Sequence, residues 1–140
     1  MWILSWLFSN KKQSDEVWEE KDDSKLVLII EDEVLLSEMY KIKLELNQFK
    51  VEVRPDWESW LKAIEELKPD VVLLDLMMPV MNWLEVLDNL RNKLKMDTKV
   101  VVFSNAPEKK EEALDLWADE FLVKADVTPN EVLNTVLELV

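Results

Sequence analysis

The feature that most constrains the fold of this chain is a fivefold alternation between short apolar runs and segments with helical periodicity. The runs are Leu26–Ile30, Phe49–Arg54, Val71–Asp75, Val100–Phe103 and Phe121–Val123. Between them, apolar residues recur every three or four positions, which is typical of amphipathic helices. Strands that alternate with helices form parallel sheets, because each helix carries the chain back to the start of the next strand. The sequence therefore predicts an α/β domain of (βα)5 type with a doubly wound, five-stranded parallel sheet.

The polarity of the runs also predicts the order of the strands. The second run alternates apolar and polar residues, whereas the first, third and fourth are continuously apolar. Alternation is typical of a strand with an exposed face, and a continuous apolar run is typical of a strand buried on both faces. We therefore expect the flavodoxin-like order 2-1-3-4-5, in which a crevice opens beyond the carboxyl ends of strands one and three.

Each predicted helix carries an apolar stripe that we expect to face the sheet, because residues three and four apart share one side of a helix. The stripes are Leu35, Met39, Ile42 and Leu46 in the first helix, Leu61, Ile64 and Leu67 in the second, Leu87, Leu90 and Leu94 in the third, and Leu133, Val136, Leu137 and Val140 in the last.

Composition excludes several classes of site. The chain has 30 acidic and 17 basic residues, a net charge of -13, which works against contacts with a phosphate backbone. We therefore expect no direct nucleic-acid partner. Without Cys or His, the chain has no disulfide, thiolate metal site, zinc-type ligand or imidazole base. Mg²⁺ held by oxygen ligands is the metal that fits this composition.

Glycine and tryptophan usage is unusual. The chain has no Gly and seven Trp, whereas average usage gives about ten Gly in this length. Trp57, Trp83 and Trp117 stand at predicted turns or helix ends, where Gly is usual because it enters positive φ without penalty. Our hypothesis is that UGA codons meant as glycine were translated as tryptophan. The alternatives are ordinary core aromatics or deliberate substitution, and codons other than UGA at these positions would exclude the hypothesis.

Residues 1–24 differ in composition from residues 25–140, which we expect to form a single domain. An apolar start, Met1–Phe8, runs into a stretch rich in Glu, Asp, Lys and Ser that indicates a solvated linker. Eight residues are too few to span a bilayer, and they lack the charged start and cleavage pattern of a signal peptide. We favour a frayed or locally packed tail. Contact with a membrane surface or docking to a partner is the alternative.

Polar residues at four strand ends would meet at one edge of a parallel sheet. Glu31 and Asp32 follow the first run, Asp75 ends the third, Ser104 follows the fourth and Lys124 follows the fifth. Carboxylates, a hydroxyl and an ammonium in one crevice suit a divalent metal and a phosphoryl group. Taken alone, each also has a structural interpretation: the acidic pair and Ser104 as helix caps, Asp75 as a loop-entry residue and Lys124 as a solvated strand end.

In residue order the chain resembles the CheY-like receiver family of response regulators in two-component systems. Four motifs carry the resemblance, which covers residues 25–140: Leu28-Ile29-Ile30-Glu31-Asp32-Glu33, Val72-Leu73-Leu74-Asp75-Leu76-Met77-Met78-Pro79, Val101-Val102-Phe103-Ser104-Asn105 and Phe121-Leu122-Val123-Lys124. The resemblance implies that Asp75 accepts a phosphoryl group from a phosphohistidine on a sensor histidine kinase or phosphotransfer protein, in a Mg²⁺-dependent reaction. It implies a cytoplasmic signalling domain rather than an enzyme.

The resemblance also implies a set of metal ligands. Asp32 and Asp75 bind Mg²⁺ directly, the backbone carbonyl of Met77 is a third ligand, and Glu31 acts through a water. In-line transfer to a carboxylate depends on charge neutralisation more than on an acid or base, so the missing His is no obstacle. Clustered carboxylates repel one another, and we expect this repulsion to lower metal-free stability and to raise the proton affinity of at least one of them.

Three further residues have implied roles in holding the phosphoryl group and in switching. Lys124 pairs with Asp75 and a phosphoryl oxygen, and Ser104 donates a hydrogen bond to another oxygen. The movement of Ser104 is coupled to Phe121, which turns inward. That change reshapes the face of the fourth helix, fifth strand and fifth helix, which docks a target protein. The domain is also compatible with homodimerisation.

The chain departs from the family pattern at Ala125, where Pro with a cis bond usually follows the lysine. A cis bond before a non-proline residue costs about 3 kcal/mol, so we expect either a trans bond, which could shift Lys124, or a strained one. Two other functions are the alternatives. A receiver acting only as a binding module would lack a key acidic residue or the lysine, and an aspartyl-phosphate hydrolase usually carries a second Asp where Met77 stands.

Overall fold

The structure is a computed structural model that describes residues 23–76, 97–116 and 118–140, together with Glu85, Asp88 and Arg91. In these ranges the strands are β1 (Leu26–Ile30), β2 (Lys50–Arg54), β3 (Val71–Asp75), β4 (Lys99–Ser104) and β5 (Glu120–Val123). The α-helices are α1 (Val34–Glu45), α2 (Trp57–Leu67), α3 (Lys110–Asp115) and α4 (Pro129–Leu139). Short 3-10 helices cover Pro107–Lys109 and Lys124–Asp126. No helix in the described ranges is long and apolar enough to cross a membrane.

The five strands form one parallel sheet in the order β2-β1-β3-β4-β5, which confirms the predicted fold. β3 is buried along its whole length, whereas β2 alternates exposed and half-buried residues over its first three positions, as expected for an edge strand. The register pairs Ile30 with Leu74 and Asp75 with Phe103. The carboxyl ends of β1, β3 and β4 therefore lie at one edge, beside the switch point between β1 and β3.

Two apolar clusters cover the opposite faces of the sheet, because successive side chains of a strand point to opposite sides. The helices divide between the two faces: α2 and α3 cover one, and α1 and α4 cover the other. The first cluster includes Leu28, Leu74, Val102 and Phe121 with Trp60, Ile64 and Ala113. The second includes Val27, Leu73, Val101 and Phe103 with Tyr40, Leu44, Val132 and Val136.

The helix α1 faces the sheet with a different side from the one predicted. The predicted stripe is exposed, by 89% at Leu35, 41% at Met39, 57% at Ile42 and 76% at Leu46. The helix buries Ser37, Tyr40 and Leu44 instead. The prediction was wrong because α1 has apolar residues on two opposite sides, and periodicity does not tell which side covers the core. The Tyr40 ring packs edge-on against Phe103, with 5.2 Å between ring centroids.

The other described helices agree better with prediction. In α2, Ile64 is buried and Leu67 packs against the same cluster. In α4, Leu133 and Val136 are buried. The end of the predicted α4 stripe is exposed, by 47% at Leu137 and 45% at Val140, because α4 turns Val132 toward the core in their place. The predicted third-helix stripe lies outside the described residues.

Positive φ occurs at Gln48 (70°) and Lys68 (47°) within the described part, and at no Trp. Trp57 is the first residue of α2 and directly follows the N-cap residue, Asp56. Any L-residue adopts helical φ, so the expectation that Trp57 occupies a glycine-type turn is wrong. Trp60, which the turn argument did not identify, is 1% exposed, and its indole N–H has no hydrogen-bond partner among the residues that the structure describes. Trp83 and Trp117 lie outside the described residues, and the codon hypothesis stays a prediction.

Candidate functional site

Three carboxylates meet at the carboxyl edge of the sheet. Glu31 and Asp32 follow β1, and Asp75 ends β3. One oxygen from each lies within 4.8 Å of the others. Glu31 and Asp75 are both 3% exposed, whereas Asp32 is open to solvent. Two buried carboxylates beside an exposed one can hold a hard divalent cation and leave room for water ligands.

Lys124 joins the carboxylates from the end of β5. Its Nζ lies 2.9 Å from Oε2 of Glu31 and 3.1 Å from Oδ2 of Asp75. The Lys124 side chain is only 11% exposed, so it is not a solvated strand end. The contact with Asp75 agrees with the sequence expectation. The contact with Glu31 was not predicted, because the sequence does not show how far a long side chain reaches across the sheet edge.

The ionisation of this cluster follows from burial and mutual charge. Burial raises the pKa of Glu31 to about 7, and the charge of Asp75 adds to this effect, while Lys124 and the N–H of Glu33 oppose it. Burial disfavours the charge of Lys124, but its hydrogen bonds and ion pairs with Glu31 and Asp75 outweigh burial and raise the Lys124 pKa. The site therefore keeps Lys124 as an ammonium and takes up a proton on Glu31 near neutral pH.

Ser104 ends β4 beside the cluster and is fully buried. Its Oγ accepts a hydrogen bond from the N–H of Ala106 at 3.1 Å. This is a local turn rather than a helix cap, since the N-cap of the following 3-10 helix is Ala106. Because the hydroxyl accepts in this bond, its hydrogen remains able to donate to a group held at Asp75.

The peptide after Lys124 is held by Asn105. The Lys124–Ala125 bond is trans, as are all peptide bonds in the described residues. The N–H of Ala125 donates to Oδ1 of Asn105 at 2.9 Å. Proline at this position has no N–H to donate, so the link depends on Ala125. The sequence analysis did not assign a role to Asn105. The signal that could have pointed to it is Ala125, which stands where the family usually has Pro and therefore has an N–H that needs an acceptor.

Two aromatic residues lie behind Lys124. Its Nζ is 5.6 Å from the centroid of the Phe103 ring, within the range of a cation–π contact. Phe103 in turn meets Tyr40 edge-on. Burial holds the pKa of Tyr40 above its ordinary value, so this hydroxyl stays neutral. Neither aromatic was predicted to belong to the site.

The remaining predicted residues have different outcomes. The N-cap of α1 is Glu33, which makes no side-chain capping bond, so the capping interpretation of the acidic residues gains no support there. Phe121 is 4% exposed in the cluster that includes Ala113 and Val102. It therefore already occupies an inward position. Met77 lies outside the described residues.

Sequence comparison supplies the family. The model described as "Response regulator receiver domain" matches residues 27–137. The chain belongs to the response regulator receiver domain family. Receiver domains are signalling domains rather than classical enzymes.

Curated relatives extend beyond the matched region. The receiver domain is 44% identical over 79 residues to the nitrate/nitrite response regulator protein NarL of Escherichia coli K12, covering 55% of the chain and 36% of NarL. It is 34% identical over 99 residues to the transcriptional regulatory protein KdpE of Mycobacterium tuberculosis H37Rv, covering 71% of the chain and 44% of KdpE. The chain thus spans less than half the length of either relative.

A solved structure shares the same architecture. The response regulator protein TrrA from Thermotoga maritima, solved in complex with Mg²⁺ and BeF, is 28% identical to this receiver domain. The match covers 83% of this chain and 99% of TrrA, with a TM-score of 0.74.

Proposed function

We propose that this receiver domain accepts a phosphoryl group on Asp75, in a Mg²⁺-dependent transfer from a phosphohistidine on a sensor histidine kinase or phosphotransfer protein. One observation carries the proposal: Oδ2 of the buried Asp75 lies 3.1 Å from Nζ of Lys124, within a cluster that also contains Glu31 and Asp32. This arrangement supports a role for Asp75 as the nucleophile, because a positive charge and further carboxylate ligands for a metal lie beside its carboxylate.

The donor set fits Mg²⁺, which prefers one or two protein carboxylates and keeps several waters. Asp32 and Asp75 would hold the ion directly, with the Met77 carbonyl as a third ligand and Glu31 through a water. When bound, Mg²⁺ neutralises the negative charge that gathers at the phosphoryl oxygens. TrrA, which was solved with Mg²⁺ and BeF, supports this assignment by analogy.

The chain's own groups then act as follows. An Asp75 carboxylate oxygen forms a bond to phosphorus while the phosphorus–nitrogen bond of the phosphohistidine breaks and its electron pair returns to the imidazole. Lys124 pairs with a phosphoryl oxygen, and Ser104 donates its hydroxyl hydrogen to another. Positioning and charge neutralisation account for most of the catalysis in such transfers. Since Lys124 contacts Glu31 in the structure, part of that contact must be exchanged for the phosphoryl oxygen.

Phosphorylation changes the face formed by α3, β5 and α4. These elements are the fourth helix, fifth strand and fifth helix of the sequence analysis. Movement of Ser104 changes the packing beside Phe121, and a target protein binds the altered face. Phosphorylation shifts a population between two packings rather than creating a new one. A target protein is favoured over nucleic acid because the chain carries a net charge of -13. We place this reaction in the cytoplasm, where ATP is the source of the phosphoryl group that the kinase carries.

Incubation with acetyl phosphate and Mg²⁺, followed by intact-mass measurement, tests the proposal. We expect a single phosphoryl adduct that is absent without Mg²⁺ and absent from Asp75→Asn. The matched control is Asp97→Asn, because Asp97 is exposed and lies before the amino end of β4. This variant should be phosphorylated like the parent. No adduct on the parent protein would favour a receiver that binds partners without phosphorylation.

A further inference from the structure

Phe103 lies beside the proposed phosphoacceptor, on the next strand of the sheet. Its Cα in β4 is paired in register with that of Asp75 in β3. Leu73 and Phe103 both belong to the second apolar cluster, and side chains two residues apart on a strand point to the same face of the sheet. The side chains of Asp75 and Phe103 are therefore neighbours on the face that α1 and α4 cover.

The side chain of Lys124 crosses β4 to reach Asp75. Lys124 follows β5 and Asp75 ends β3, and β4 lies between these two strands. Since neighbouring strands are about 4.8 Å apart, β3 and β5 are separated by about 10 Å. Phe103 is the residue of β4 on this path, because Nζ of Lys124 lies over its ring, 5.6 Å from the centroid.

The Phe103 ring is packed between the sheet and α1. Phe103 and Tyr40 are both 5% exposed. The Tyr40 ring meets the Phe103 ring at an interplanar angle of 90°, which is one of the preferred geometries of aromatic pairs. The ring therefore presents a defined face to the ammonium.

The ring differs from the other groups around Lys124 because it carries no charge. A cation over an aromatic ring is attracted by the ring quadrupole, and the attraction grows when the cation is shielded from water, as the buried Lys124 is. The ion pairs of Lys124 with Glu31 and Asp75 have to rearrange when a phosphoryl group bonds to Asp75. The contact with Phe103 does not take part in that exchange.

We propose that Phe103 is a positioning residue for the phosphoryl transfer, which holds the Lys124 ammonium beside Asp75 while the ion-pair partners of that ammonium change. The inference rests on the proposed function, because it concerns the same reaction. In this role Phe103 acts through Lys124 and forms no bond to the phosphoryl group. Without the ring, the ammonium depends on the two carboxylates alone, and transfer is slower.

The mobility of the Lys124 side chain tests the positioning without a phosphoryl donor. Carbon-13 relaxation of the lysine ε-methylene groups measures how freely each of them moves, and the Lys124 signal is assigned by its loss from Lys124→Arg. In the parent chain we expect the Lys124 order parameter to be higher than that of exposed lysines such as Lys62. In Phe103→Leu, which keeps an apolar side chain without a ring, it should fall toward their value.

The matched control is Phe49→Leu. Phe49 is buried in the same apolar cluster as Phe103, but it directly precedes the amino end of β2, whereas Phe103 lies near the carboxyl end of β4. The control loses a buried ring from this cluster and should leave the Lys124 order parameter at its parental value.

A change in ring charge at nearly constant shape separates attraction from packing. Pentafluorophenylalanine in place of Phe103 keeps a planar aromatic ring of similar size, but its fluorines reverse the quadrupole that attracts a cation. We expect this variant and Phe103→Leu to be phosphorylated by acetyl phosphate and Mg²⁺ roughly tenfold more slowly than the parent, as for the loss of a largely desolvated cation–π contact. Phe49→Leu should react at the parental rate.

The outcomes separate this proposal from the proposed function. Unchanged Lys124 mobility in Phe103→Leu overturns the positioning role, and so does a parental rate with pentafluorophenylalanine at position 103. Equal slowing in Phe49→Leu also overturns it, because the effect would then come from lost core packing. If the parent protein takes up no phosphoryl group, the proposed function fails, and the mobility comparison still decides whether Phe103 fixes Lys124.

Discussion

At the scale of single residues, Glu31 governs how the site responds to pH. Its pKa in the folded chain is about 7, against an ordinary value of 4.5. An acid with a raised folded pKa binds more protons in the folded state than in the unfolded state between those values. Its contribution to stability is therefore fully present below the unfolded pKa and is lost as pH rises through the folded pKa.

We accordingly expect the metal-free domain to lose roughly 3 kcal/mol of unfolding free energy between about pH 5 and pH 8. Urea denaturation at several pH values measures this slope. Glu31→Gln should flatten it, because the amide does not ionise. Glu33→Gln is the control, since Glu33 is exposed and should keep the slope. An unchanged slope in Glu31→Gln would show that burial of this carboxyl is not the cause.

Asn105 is the residue that we expect to fix Lys124 through the neighbouring peptide. Asn105→Ala removes the acceptor for the N–H of Ala125. A hydrogen bond is worth about 1 kcal/mol, or roughly a fivefold change in rate, so phosphorylation by acetyl phosphate should slow by about that factor. Mg²⁺ affinity, followed by Trp fluorescence, should stay the same because the carboxylates are untouched.

The control for this variant is Asn47→Ala, at an exposed Asn whose Nδ2 donates to the carbonyl of Lys43 at 2.8 Å, next to the end of α1. It should phosphorylate at the parental rate. If Asn105→Ala also phosphorylates at that rate, Asn105 does not position Lys124.

The strand-end residues of the site could be predicted because they need only the sheet. Glu31, Asp75 and Lys124 each lie where an apolar run stops, and parallel strands bring such ends together. The Lys124–Glu31 ion pair and the Asn105–Ala125 link could not be predicted. Both depend on loop conformation and side-chain reach, which hydrophobic periodicity does not encode.

At the scale of secondary-structure elements, strands and helices differ in what their sequences reveal. The third run predicted β3 at its observed bounds, because continuous burial requires apolar residues at every position. The sequence predicted the first helix correctly, but it predicted the wrong side of that helix to face the sheet. Its two sides are both apolar, and the side that the structure buries is the one on which Tyr40 packs edge-on against Phe103.

The rotation of α1 makes a direct prediction about stability. Leu44 is 1% exposed, so Leu44→Ala should lower the unfolding free energy by about 2–5 kcal/mol. Leu35 is 89% exposed, and Leu35→Ala should change the free energy by no more than about 0.5 kcal/mol. Urea denaturation of the two variants gives the comparison. A larger loss for Leu35→Ala would mean that the opposite side of α1 covers the core.

At the scale of the whole molecule, three carboxylates lie together at one edge of the sheet, and the single positive charge of Lys124 neutralises only part of their negative charge. Lys124 faces both Glu31 and Asp75, while Asp32 stays open to solvent. Such a site favours a bound cation, and its packing can respond to a new charge at Asp75. The family and the architecture follow from the order of the sequence motifs.

The position of the phosphoryl group tests this account most directly. After reaction with acetyl phosphate and Mg²⁺, borohydride reduces an acyl phosphate on aspartate to homoserine, which peptide mass spectrometry locates. We predict homoserine at position 75 and at no other carboxylate, and none when Mg²⁺ is omitted. Homoserine at another position, or no conversion in the folded protein with Mg²⁺ present, would contradict the assignment of Asp75 as the phosphoacceptor.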